Sequence, residues 1–316
     1  MKEIITQLKN SKSVAIFVHE NPDWDCIGSA MALRHALRAS GIKADVFTEK
    51  ELSRHLSFLE TDVIIYSEGA TAPDYECYCA LDVGNSDRIG SWGKFFSEKD
   101  NTVCVDHHHP NGKFAKVSHI EPSRSSTGEL VYELLCEGGF EITKEIAQYI
   151  YCAMSSDTGS FQYASVNRRT YEILIDLYET GINTTYLCSM LYERNSITQL
   201  RLQAELINSI KLYKDGKIAT AKITNEIMEK HGATRNDTEA LAQIPRSIDG
   251  VMISAFLKEL PEGDIRVSLR SLGDYNIEPV ARMFGGGGHK KAAGCTFKNS
   301  SIDDAEKVLV EELEKL

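Results

Sequence analysis

The sequence predicts an α/β protein: an N-terminal domain built on a mostly parallel sheet with flanking helices, a helical connector, and a smaller C-terminal α/β domain. Two observations carry this expectation. In the first half, short β-branched apolar runs alternate with segments of helical period, the pattern of parallel strands covered by helices. From Thr170 to about Tyr213 the pattern is continuously helical, after which strand-like runs resume. The expected division is 1–185 for the first domain, 186–212 for the connector and 213–316 for the second domain, and 316 residues are enough for two cores.

Taken in order, Met1 to Asn10 is a short amphipathic helix with Ile4, Ile5 and Leu8 on one side. It has neither the basic head nor the cleavage site of a signal peptide. Strands are expected at Val14–Val18, Ala44–Phe47, Val63–Tyr66, Cys77–Leu81, Val103–Val105 and Ala115–Ile120. Helices are expected at Ile27–Ala39, stopped by Gly41, at Gly128–Cys136, closed by Gly138 and Gly139, and at Lys144–Met154. In the second domain the strands are Ile218–Ile223, Val251–Leu257, Ile265–Leu272 and Ala292–Phe297. Among the early residues the longest uninterrupted apolar run, Val14–Val18, is far short of the ~20 residues a membrane helix needs, so no membrane partner and a cytoplasmic location are expected.

Eight cysteines without CxxC spacing read as reduced and mostly buried. A net charge of −11 argues against gripping long nucleic acid, which requires a broad basic surface. Small ligands with few phosphates remain open, and bound cations would offset part of the acidity.

Polar residues gather just past the ends of the apolar strands. Val14–Val18 runs into His19-Glu-Asn-Pro-Asp23-Trp-Asp25, Cys77–Leu81 into Asp82, and Val103–Val105 into Asp106-His107-His108; Asp157 follows a helix. Ligands of open parallel sheets bind outside the carboxyl ends of the strands, so these loops are expected to converge. Singly, each has a plainer explanation, since Asp-x-Asp often caps a helix and a His before Pro often marks a turn. Together they form a carboxylate-rich set that repels itself unless cations intervene. Oxygen ligands with some imidazole favour Mn²⁺ or Mg²⁺, and six or seven ligands exceed the needs of one such ion. Two ions roughly 3.5 to 4 Å apart, bridged by a carboxylate and a water, are the expected arrangement, with Asp82 as the bridge.

The second signal is Gly285-Gly286-Gly287-Gly288-His289-Lys290-Lys291. Successive glycine amides can cradle phosphate oxygens. Around the run, Arg266, Arg270, Arg282, Lys290 and Lys291 outnumber Asp264, Asp274 and Glu278, a positive segment in an acidic chain. Arg124-Ser125-Ser126-Thr127-Gly128 reads as a helix cap in preference to a phosphate contact.

With these residues in hand, the chain resembles the DHH superfamily of phosphoesterases, named for the triplet seen here as Asp106-His107-His108. His19-x-x-x-Asp23-x-Asp25, Asp82, the triplet with Asn111 after it, and Asp157-Thr-Gly appear in the family's order. The C-terminal part resembles the DHH-associated domain, with Gly286, Gly287, Gly288 and His289 as its glycine-rich motif. Size and layout are similar to the nanoRNase and pAp-phosphatase (NrnA-like) branch. The resemblance implies one Mn²⁺ on His19, Asp23 and Asp82, and a second on Asp25, Asp82, His107 and Asp157. It further implies His108 at the scissile phosphate, Asp106 orienting the histidines, and Arg270 with Gly286–His289 on a substrate phosphate. His109, a third histidine in the row, is a local departure, a candidate either to compete as a ligand or to gate the cleft.

The expected activity is manganese-dependent hydrolysis of linear dinucleotides or nanoRNA to mononucleotides, and of the 3′-phosphate of pAp, by a water activated between two metals. Mg²⁺ or another divalent ion is the alternative cofactor. The expected partners are short oligonucleotides or phosphorylated nucleotides, and a homodimer is compatible with the sequence. Alternatives are a cyclic-dinucleotide phosphodiesterase, an inorganic pyrophosphatase of the same superfamily, which the glycine motif disfavours, and a non-catalytic nucleotide sensor.

Overall fold

The computed structural model describes residues 1–66, 74–109 and 112–316. Asn111 lies outside the described residues. The chain divides into two compact units, 1–194 and 195–316, each with its own sheet and core.

The first unit runs α1 (Lys2–Asn10), β1 (Ser13–Phe17), α2 (Trp24–Ala39), β2 (Lys43–Thr48), β3 (Ile64–Ile65), β4 (Cys77–Leu81), α3 (Gly93–Ser97), β5 (Thr102–Asp106), β6 (Val117–Ile120), α4 (Thr127–Glu137), α5 (Lys144–Asp157), α6 (Arg168–Glu179) and α7 (Thr184–Tyr192). Its six strands are all parallel, in the order β3-β2-β1-β4-β5-β6, so the predicted α/β class and parallel sheet are borne out. Side chains of a strand alternate between faces, and β1 shows it: Val14 and Ile16 join the core under α2, α4 and α5, whereas Ala15 and Phe17 join Phe47, Tyr66, Trp92 and Phe96 on the other face. Both faces are therefore buried, which explains why these strands read as continuous apolar runs rather than as alternating ones.

The order of strands reverses between β1 and β4, the place at which open parallel sheets bind ligands outside their strand ends. Helix packing narrows what lies beside it. A Cβ on Gly28 of α2 would sit 2.5 Å from the Tyr149 carbonyl of α5, and one on Gly128 of α4 would sit 2.7 Å from Ala153 Cβ. Glycine at both places lets α5 approach α2 and α4 closely. Gly28→Ala is thus expected to destabilise the protein by about 1–3 kcal/mol. Chemical denaturation measures this, and an unchanged midpoint would show that the helices separate without cost.

The second unit runs α8 (Ile197–Asn208), β7 (Lys211–Tyr213), β8 (Ile218–Ile223), α9 (Asn225–Lys230), β9 (Ile253–Glu259), β10 (Ile265–Ser271), α10 (Glu278–Met283), β11 (Gly287–His289), β12 (Ala292–Phe297) and α11 (Ile302–Leu313). Its sheet order is β11-β12-β10-β9-β8-β7, antiparallel except for β8 with β9. Two of these strands depart from expectation. β7 is a three-residue edge at the end of the helical stretch, and β11 is built from the glycine run itself. Among the described residues, no helix is long and apolar enough to cross a membrane.

Candidate metal centre

Each polar residue past a strand end has a local reason for its position. Asp23 caps α2, its side chain accepting from the Cys26 amide at 3.1 Å. Asp25 follows in the first turn of α2 and is 1% exposed. Asp82 leaves β4 with φ 60°, in the left-handed region, a conformation that costs of order 1–3 kcal/mol for a residue other than glycine and clusters at functional sites. Asp106 ends β5, and its Oδ1 accepts from both the amide (3.0 Å) and Nδ1 (2.8 Å) of His108. His107 is held differently, its Nδ1 3.3 Å from the Arg124 carbonyl. Asp157 is the last residue of α5.

These side chains meet. His19 Nε2 lies 3.7 Å from Asp23 Oδ2 and 3.7 Å from Asp82 Oδ2. His107 Nε2 lies 3.5 Å from Asp25 Oδ2, 3.8 Å from Asp82 Oδ1 and 3.4 Å from Asp157 Oδ2. Asp82 therefore turns one oxygen to each histidine. Its Oδ1 is also 3.3 Å from His108 Nδ1. All seven predicted residues of the first unit, His19, Asp23, Asp25, Asp82, His107, His108 and Asp157, thus converge, with Asp106 directly behind His108.

The donors fit a divalent cation. At 3.4–3.8 Å, the contacts of His19 and His107 are too long for good hydrogen bonds, so the atoms converge without satisfying one another. Among the described residues, the ion pairs of Asp23, Asp25, Asp82 and Asp157 run only to histidines. Burial, followed by the charges of Asp82, Asp157 and Asp23, lifts Asp25 well above the usual carboxylate range. Asp157 is pushed up to about 6, first by burial and then by Asp82 and Asp23, against the pull of His107 and His108. Burial would raise Asp82 as well, yet His108, 3.3 Å from its Oδ1, and the neighbouring His19 hold it below the usual range. Hydrogen bonds to Asp106 and Asp82 hold His108 up at about 10, a protonated donor at neutral pH. Three donor groups have ligand atoms within 4.8 Å of one another: Asp25-His107-Asp157, Asp82-His107-His108 and His19-Asp23-Cys26. Such acidic and histidine clusters are of the kind that binds divalent metal. Asp23 and Asp157, with side chains 57% and 37% exposed, form its open lip.

Two residues of this site escaped sequence reasoning. Cys26 joins the His19 group, but burial pushes its thiol up to about 12, so it carries no charge at neutral pH. Thr127 follows the expected cap, where Ser126 accepts from the Glu129 amide. Its own amide and hydroxyl instead reach Asp25 and Asp82, at 2.8 and 2.9 Å. Nothing in its local sequence marks that role, because Asp25 lies 102 positions away. His109 is exposed and belongs to none of the three donor groups.

In the second unit, Arg270 lies on β10 opposite Ser254 and Ala292, and the predicted glycine motif pairs with β12 through Gly287–Gly294, Gly288–Ala293 and His289–Ala292. The expected glycine nest is therefore an edge strand. Its glycines have different reasons. A Cβ on Gly286 would meet the Gly294 carbonyl at 2.0 Å and one on Gly288 the Ala292 carbonyl at 2.5 Å, whereas at Gly287 it would meet nothing within 4 Å. Packing demands the first two, whereas half-buried Gly287 has open space where a Cβ would stand. Arg270 and the motif lie on opposite sides of β12, within one sheet.

Comparison with known proteins agrees with this layout. Residues 13–154 match the model of the DHH family, N-terminal domain, and residues 215–315 match the DHHA1 domain. The chain belongs to the DHH/DHHA1 superfamily. It is 28% identical to the bifunctional oligoribonuclease and PAP phosphatase NrnA of Thermus thermophilus, over 94% of this chain and 88% of that one. It is 27% identical to the NrnA of Bacillus subtilis, over 98% and 96%. The crystal structure of an exopolyphosphatase-related protein from Bacteroides fragilis superposes with a TM-score of 0.91 at 29% identity, over 99% of this chain and 96% of that one.

Proposed function

We propose that this DHH/DHHA1 protein is a manganese-dependent phosphoesterase that hydrolyses linear dinucleotides and nanoRNA to mononucleotides and removes the 3′-phosphate of pAp. The observation that carries the proposal is Asp82, buried and strained, with one oxygen facing His19 and the other facing His107. A carboxylate so placed is what two neighbouring cations share. The names of the two NrnA relatives support the choice of substrates.

In this proposal His19, Asp23 and Asp82 would hold one Mn²⁺, and Asp25, Asp82, His107 and Asp157 would hold the other. Divalent ions bound there supply Lewis-acid stabilisation of phosphoryl oxygens and a water acidic enough to attack at neutral pH. His108, fixed and kept protonated by Asp106, donates to a scissile-phosphate oxygen as charge develops on it. Arg270 and the Gly286–His289 motif bind another phosphate of the substrate. The eight unpaired cysteines suit a reducing compartment, and we assign the protein to the cytoplasm.

His289→Ala is expected to raise the Michaelis constant roughly tenfold with little change in kcat, the mark of lost binding rather than lost chemistry. An unaltered constant would remove His289 from the phosphate site. The function itself is tested by incubating the protein and Mn²⁺ with pAp, a linear dinucleotide, a cyclic dinucleotide, a long oligonucleotide and pyrophosphate in parallel. Hydrolysis confined to pAp and the linear dinucleotide is the expected result. Hydrolysis of pyrophosphate alone, or of none of the five, would overturn the proposal.

A further inference from the structure

The N-terminus of α4 does more than begin a helix. Asp25 accepts two backbone hydrogen bonds from it, Oδ2 from the Thr127 amide at 2.8 Å and Oδ1 from the Gly128 amide at 2.9 Å. Free amides at a helix start are natural anion holders, and here they grip the buried Asp25 carboxylate and favour its charged form against the pull of burial. The same residue reaches a second carboxylate through its side chain, because Thr127 Oγ1 donates to Asp82 Oδ1 at 2.9 Å. Thr127 is completely buried, so no water competes for either bond. The turn that carries it is itself fastened at both ends. Ser126 Oγ accepts from the Glu129 amide at 3.2 Å, and Glu129 Oε2 accepts from the Ser125 amide at 3.1 Å.

We infer that Thr127 is a positioning residue that fixes the orientation of the Asp82 carboxylate and locks it to Asp25. A carboxylate at the end of a strand has a broad terminal torsion, roughly two-fold and weakly restrained by itself. Asp82 serves two sides only if its plane is set so that one oxygen faces His19 and the other His107. The hydroxyl of Thr127 sets that plane by holding Oδ1, the oxygen on the His107 side. The backbone bonds to Asp25 then tie this orientation to a second of the carboxylates facing His107. Thr127 is sealed from solvent, and its effect passes through the two aspartates.

This inference rests on the proposed metal centre, and the test separates the two. The variants are Thr127→Val, which keeps the shape and the backbone amide but loses the hydroxyl, and Thr127→Ser, which keeps the hydroxyl. Asp82→Ala is the comparison. Mn²⁺ binding to each is measured by titration calorimetry, and folding by circular dichroism. Outer partners of metal ligands are worth roughly 10- to 100-fold in affinity, so Thr127→Val is expected to bind Mn²⁺ weaker by that factor, and Thr127→Ser to recover to within a few-fold. A merely structural role would not produce recovery by serine of metal affinity at an unchanged melting temperature. Should Thr127→Val fail to fold, Thr127→Ala against Thr127→Ser gives the same contrast. Wild-type affinity in the variant lacking the hydroxyl, with binding lost in Asp82→Ala, would overturn the role of Thr127 alone. Undiminished binding in Asp82→Ala would overturn the metal centre and this inference with it.

Discussion

Replacing Asp82 by alanine is expected to reduce hydrolysis of pAp by roughly a thousand-fold or more, the scale of losing a preorganised electrostatic element at the reacting phosphate. Its two oxygens face separate histidines, so one substitution strips a ligand from both proposed ions. The fold is expected to survive. Removing its charge relieves repulsion with Asp25 and Asp157 but takes away the partner that His19 and His108 favour, so a lowered melting temperature with the fold retained is expected. Steady-state turnover and a thermal melt, made on the same preparation, check both halves. Turnover within tenfold of wild type would mean that Asp82 is not shared.

Asp106→Asn is expected to act through His108. The carboxylate is 1% exposed, and one oxygen accepts both the backbone amide and Nδ1 of His108. Asparagine keeps an acceptor but removes the charge that favours the protonated ring. The kcat is expected to fall roughly 10- to 100-fold, as for other residues that orient from behind, with the Michaelis constant little changed. A rise in that constant alone would instead place Asp106 among the substrate-binding groups.

Much of this site was legible because a parallel sheet buried on both faces forces its polar residues to the strand ends. His19, Asp82 and the Asp106-His107-His108 triplet each follow an apolar run, and the crevice position between β1 and β4 needs no more than the rule for open sheets. What could not be read depends on contacts between distant segments. Thr127 reads as part of a helix cap, and its two aspartate partners are fixed only when the start of α4 meets α2 and the residue that follows β4. The positive φ of Asp82 leaves no mark in composition, since Asp is a common residue at strand ends. The glycine run hid a strand, because β11 lacks the β-branched residues by which strands are recognised and gains its place by pairing with β12. β7 was missed for another reason: its three residues, Lys211–Tyr213, continue the helical pattern and are held as an edge by β8 alone.

The most direct test of the central claim, that Asp82 is shared between two ions, is to count Mn²⁺ on the wild-type protein by calorimetry while recording its electron paramagnetic resonance spectrum. Two ions per chain with a spin-coupled signal are the predicted result, because only ions sharing a bridging ligand couple strongly. One ion per chain, or two with the signal of isolated Mn²⁺, would contradict it.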